Sequence, residues 1–94
     1  MPAWFYILRL QSTRLYSGSS HSLEKRIKGH FAGRACRTTK IDPPIALVYS
    51  EEFASYKEAF RREQQVKRWS RAKKEALIIG ELVRLKKLAK RKRS

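Results

Sequence analysis

Five side chains in this sequence are of types that move protons, grip oxyanions or hold cations. Tyr6 and Tyr16 lie ten positions apart in two short β-prone runs, so an antiparallel pairing of those runs can set both phenols at one site. Arg26 and His30 are four apart and stand one helical turn from each other, flanking a stripe of Leu23, Ile27 and Phe31. Both therefore point towards the surface that this stripe covers and its rim. Glu63 falls near the middle of a second stripe, made by Tyr56, Ala59, Phe60, Val66 and Lys67, while Lys57, Arg61, Gln65 and Arg68 face away. An inward carboxylate costs on the order of several kcal/mol unless a cation or hydrogen bonds neutralise it. Something positive must meet Glu63, and Arg26 and Lys67 are candidates within the chain. Taken singly, strand tyrosines and a helix histidine are often only packing groups; the five carry weight as a set.

The partner is constrained by charge. Lys and Arg number 23 against 8 acidic residues, a net charge of +15 on 94 residues. A chain so unbalanced repels itself unless it meets a polyanion, and nucleic acid is the commonest. An acidic membrane surface is the lesser option, because no segment has an apolar face free of charge. Cys36 is alone, which leaves neither a disulfide framework nor zinc-finger spacing and fits a reducing cytosol. The N-terminal apolar run is broken by Arg9 and is too short to span a bilayer, so the expected location is cytoplasmic.

These residues need elements to hold them. Residues 4–10 read as a strand buried on both faces, 11–14 as a hairpin loop, and 15–18 as a second strand ending in glycine. Ser22 can cap a helix that Gly33 ends. Residues 32–44 read as a loop carrying Arg34, Arg37 and Lys40 and stopped by Pro43-Pro44. Residues 45–49 form a third strand, closed by Glu51-Glu52. Ser55 and Glu58 make a capping box opening the helix that bears Glu63. Ser70 caps a further helix through Ala72, Ala76, Leu77 and Ile79, which Gly80 is expected to break or weaken. Beyond it Leu82, Val83, Leu85 and Leu88 mark an amphipathic segment running into Lys90, Arg91, Lys92 and Arg93. The expected fold is α/β of the α+β kind: a small three-stranded antiparallel sheet flanked by helices, in the order β-β-α-β-α-α. One domain would span 1–80, with a basic C-terminal helix or tail over 81–94.

On these residues the sequence resembles a GIY-YIG nuclease domain, in its small stand-alone bacterial form, over about residues 3–80. The first family tripeptide falls on Trp4-Phe5-Tyr6 and the second on Tyr16-Ser17-Gly18. The family arginine falls on Arg26, the histidine or tyrosine one turn later on His30, and the metal-binding glutamate on Glu63. Phe60-Arg61-Arg62-Glu63 and the stretch from Trp69 to Leu77 resemble the stand-alone subgroup in particular. The departures are Trp4 and Phe5 for the family glycine and isoleucine, Ser17 in the second tripeptide, and Ser19 where some members carry lysine.

The resemblance implies a metal-dependent endonuclease hydrolysing DNA phosphodiester bonds with low sequence specificity, with Tyr6, Tyr16, Arg26, His30 and Glu63 as catalytic residues. One Mg²⁺ (or Mn²⁺) on Glu63 would suffice, since that ion takes few protein oxygens and keeps its waters. Arg26 offers a planar fork that matches phosphate. Tyr6 is the expected general base, helped by a phenol pKa lowered by a nearby cation, and His30 is its rival; Tyr16 would position phosphate or water. Arg34, Arg37, Lys40, Lys67, Arg68, Lys90, Arg91, Lys92 and Arg93 are the expected nucleic-acid contacts. Trp69 is either a stacking or a packing residue. The expected partner is DNA, single-stranded or branched forms included, with RNA a further option, no membrane, and a monomer or weak dimer. The competing reading is a non-catalytic nucleic-acid-binding protein on the same scaffold.

Overall fold

A computed structural model describes the backbone of residues 1–92 and the side chains of these except 82 and 84–92. Its centre is β1 (Ala3–Leu10), the apolar N-terminal run, flanked antiparallel by β2 (Leu15–Ser20) and β3 (Pro44–Phe53) in the order β2-β1-β3. A middle strand with helices on both faces has nowhere to place polar groups, which is why its apolar residues do not alternate with polar ones. Phe5 and Ile7 face one side, with Tyr49, Val66 and Ile78. Tyr6, Leu8 and Leu10 face the other, with Tyr16, Leu23 and Ile27.

Helix α1 (Leu23–Phe31) covers the second face and α3 (Tyr56–Lys67) and α4 (Arg71–Lys92) the first. Ser55 caps α3, accepting from the Glu58 backbone N–H at 3.4 Å. Ser70 caps α4 through the Lys73 N–H at 3.2 Å. Gly33 takes φ +74° just past α1, the left-handed turn that glycine favours.

The structure corrects the sequence reading in several places. The stretch read as a loop contains a short helix, α2 (Arg37–Ile41). The third strand runs on through Glu51 and Glu52 to Phe53. Helix α4 continues through Gly80 to Lys92; one glycine costs roughly 1 kcal/mol, which strong helix formers around it offset. Ile78 is buried, whereas Ile79 is exposed. On α3 the inward stripe is Ala59, Glu63 and Val66, and Tyr56 and Phe60 lie on its flank, 41% and 43% exposed. On α1, His30 rather than Phe31 completes the buried stripe.

The middle residue of the second tripeptide, Ser17, pairs with Ile7 and is buried with no partner for its hydroxyl among the described residues. A buried hydroxyl with no hydrogen bond costs about 1–3 kcal/mol. Ser17→Ala should therefore stabilise the chain by about 1 kcal/mol in urea unfolding; a loss of stability would mean that the hydroxyl is satisfied.

Candidate active site

The hairpin register sets Tyr6 opposite Gly18 and Tyr16 opposite Leu8. Both phenols therefore project from the same face, two pairs apart in the register. Tyr6 leans across Gly18, where any Cβ would fall on the Tyr6 hydroxyl, so the glycine gives the phenol passage over the edge strand. The hydroxyl meets His30 Nε2 at 2.7 Å. Tyr16 packs edge-on against the same imidazole, with ring centroids 5.0 Å apart, and its hydroxyl receives the Cys36 thiol at 3.5 Å. Behind the imidazole, His30 Nδ1 lies 2.9 Å from Thr39 Oγ1. Tyr6, His30 and Thr39 are all buried.

Arg26, exposed on α1, reaches the Tyr6 phenol with its guanidinium, and their contact holds Arg26 further above its ordinary pKa. The phenol is pushed up, not down: burial outweighs the pull of Arg26, and the Glu63 charge adds to the rise. That corrects the expected cation-lowered phenol. Burial raises Tyr16 too, with Cys36 adding. His30 moves the other way, to about 4, because burial and the Arg26 charge both disfavour its cation. The imidazole is neutral at pH 7.

Glu63 approaches from α3. Its Oε1 accepts from Ser19 Oγ at 2.5 Å, next to Gly18, and its Oε2 meets Lys67 Nζ at 2.7 Å. Lys67, one turn on, is thus the cation that neutralises the inward carboxylate. Among the described residues no three His, Cys, Asp or Glu side chains gather as a metal cage. A carboxylate beside a hydroxyl is a hard oxygen donor set of the kind Mg²⁺ or Mn²⁺ accepts with its waters retained. The donors fit one such ion, with the half-exposed Lys67 ammonium as its competitor.

Arg34, Arg37 and Lys40 are exposed and line a groove of about 800 Å³ that also takes in Cys36. Arg68 lines a second groove with Phe60 and Trp69. The Trp69 ring is already taken by Arg62 and Lys73, whose charged groups lie 5.2 and 4.2 Å from its centre. The side chains of Lys90, Arg91 and Lys92, and all of Arg93, lie outside the described residues. A more apolar groove, about 680 Å³, runs between Trp4, Leu23, Ile27 and Leu47 and touches none of the five site residues. No helix among the described residues is long and apolar enough to cross a membrane.

The family model of the GIY-YIG catalytic domain matches residues 2–76. The chain belongs to the GIY-YIG family. Within this nuclease family it is similar to the UPF0213 proteins. It is 40% identical over 75 residues to one from Staphylococcus haemolyticus, covering 80% of this chain and 92% of that one. It is 33% identical over 75 residues to YazA of Bacillus subtilis, covering 80% and 76%. The solution NMR structure of a UPF0213 protein from Bacillus halodurans matches with a TM-score of 0.55 at 37% identity, over 83% of each chain. Two participants escaped the sequence reading of this GIY-YIG domain. Ser19 stood out only as a departure, and Thr39 sits on a helix too short to show a period.

The low His30 pKa makes stability acid-sensitive. The folded value of about 4 lies below the ordinary 6.5, so the unfolded chain takes up the proton first as pH falls. This contribution is complete above the ordinary value and is lost as pH drops towards the folded one. The urea midpoint of the parent should fall more steeply across that window than that of His30→Gln. Parallel curves would contradict a buried neutral imidazole.

Proposed function

We propose that this chain is an endonuclease that hydrolyses DNA phosphodiester bonds with little sequence preference, assisted by one divalent ion, Mg²⁺ or Mn²⁺, at Glu63. The observation that carries this reading is the buried hydrogen bond between Tyr6 and His30, with Arg26 and Glu63 both acting on the same phenol. A phenol whose pKa is raised is a poor base alone. Coupled to a neutral imidazole, it can take the proton of an attacking water while passing its own to His30 Nε2, whose cation, disfavoured in the empty site, is offset there by the negative charge of the bound phosphate.

Tyr6 is only 1% exposed, so it does not face bulk water. Arg26 lies against it and is exposed. A phosphate drawn by that guanidinium brings its own water to the phenol and shields the site from solvent. The guanidinium fork neutralises charge that builds on the phosphorus oxygens. The water oxygen then bonds to phosphorus, the bond to the departing strand breaks, and the departing oxygen takes a proton from solvent. Once product leaves, His30 returns its proton to Tyr6, which releases the proton it took from the water to solvent. When bound at Glu63, the ion supplies positive charge to the phosphate and the departing oxygen.

Two surface features support DNA, unpaired strands included, as the substrate. The exposed arginines and lysine of the α2 groove can follow a phosphate backbone. A row of rings, His21 over Tyr56 at 5.2 Å and Tyr56 stacked on Phe60 at 6.0 Å, begins just after β2 and ends one turn before Glu63. Exposed stacked rings of this kind suit bases without a partner strand.

Glu63→Gln tests the reading. Under single-turnover conditions with Mg²⁺ or Mn²⁺, cleavage of single-stranded, branched and supercoiled DNA should fall by roughly 10²-fold or more, while DNA affinity stays within a few-fold. Undiminished cleavage would sink the role of Glu63. A parent protein that binds tightly in a salt-sensitive way and yields no products would leave only a nucleic-acid-binding scaffold.

A further inference from the structure

We propose that Thr39 is a positioning residue that fixes the tautomer of His30 and so decides in which direction a proton leaves Tyr6. The inference rests on the nuclease reading for its effect on rate, but its structural core is independent of it. Helix α2 starts at Arg37, which puts the Thr39 hydroxyl within reach of the Cys36 carbonyl one turn back. Thr39 Oγ1 lies 3.4 Å from that oxygen, which can only accept, and 3.4 Å from Cys36 Sγ, whose own hydrogen goes to Tyr16, so the hydroxyl donates to Cys36, in the back-bond that threonine commonly makes in a helix. A hydroxyl has one hydrogen. With it directed to Cys36, the Thr39 oxygen turns a lone pair to His30 Nδ1 at 2.9 Å.

His30 is fully buried, and a neutral imidazole carries one N–H. Both ring nitrogens need partners there, since a buried polar atom left alone is costly. Thr39 accepting at Nδ1 places the N–H on that side and leaves Nε2 bare. Tyr6, 2.7 Å away, must then be the donor. The chain of bonds reads Tyr6 to His30 to Thr39 to Cys36, every donor pointing the same way. In the opposite tautomer Nε2 already holds a proton and cannot receive one from Tyr6. A threonine remote from the phosphate thereby sets whether the phenol can act as a base.

The test is ¹⁵N NMR of the histidine ring nitrogens in the full chain, paired with single-turnover cleavage. In the parent, His30 should show a protonated Nδ1 and a bare Nε2. Thr39→Val keeps the shape and removes the acceptor, so the N–H should move to Nε2 and cleavage should slow about 10²-fold with DNA affinity unchanged, as wrong-tautomer and outer-partner changes do elsewhere. Thr39→Ser should restore both the tautomer and most of the rate. A parent with its proton on Nε2, or a Thr39→Val protein that keeps it on Nδ1, would overturn the proposal. Should Thr39→Val fail to fold, the parent and Thr39→Ser spectra decide it. A parent with the expected tautomer but no cleavage would count against the nuclease reading and leave the tautomer assignment standing.

Discussion

The hydrogen bond between Tyr6 and His30, 2.7 Å long and shut away from solvent, is the constraint to which the neighbouring parts of the fold conform. It requires the phenol to cross the edge strand, and Gly18 is the residue that lets it do so. It requires a helix that turns a histidine inward at the end of its stripe, which the Leu23, Ile27, His30 spacing provides. It also requires the imidazole to stay neutral, which burial beside a guanidinium enforces. The catalytic-domain match and the relatives give this arrangement its family; the buried bond is the feature on which the proposed chemistry rests.

Electrostatics in this molecule work on two scales. Over the surface, a charge of +15 draws polyanions without discriminating among them. Inside the site, each charge acts on particular neighbours. Lys67 neutralises Glu63, and Arg26 acts on Tyr6, Tyr16 and His30 together. The Arg9–Glu75 pair, two hydrogen bonds of 3.0 and 2.6 Å, ties β1 to α4 on the opposite face. Excess charge thus recruits, whereas paired charge organises.

How much of this was legible in the sequence depended on whether the signal was local. The inward Glu63 and the two strand tyrosines on one face follow from periodicity, whereas His30, read as flanking its stripe, is the buried residue that completes it in place of Phe31. Tyr56 and Phe60 were misread as inward because the helical angle fixes a residue's neighbours on the helix but not how wide a stripe the sheet will cover. Helix α2 went unseen because five residues without an apolar period or side-chain cap carry no helical signature, and Thr39 was missed with it. The opposition of Gly18 to Tyr6 depends on strand register, which a loop length alone does not fix. The sign of the Tyr6 shift needed a depth of burial that no spacing reports.

One oxygen atom carries the central claim. Tyr6→Phe removes the hydroxyl and leaves the ring over Gly18; the unpartnered His30 Nε2 costs about 1–3 kcal/mol of stability, while the DNA affinity of the folded protein should persist. Its single-turnover rate with Mg²⁺ should drop by roughly 10²–10⁴-fold, the usual range for loss of a general base. A Tyr6→Phe protein that cleaves at the parent rate would contradict the account and move the proton acceptor elsewhere.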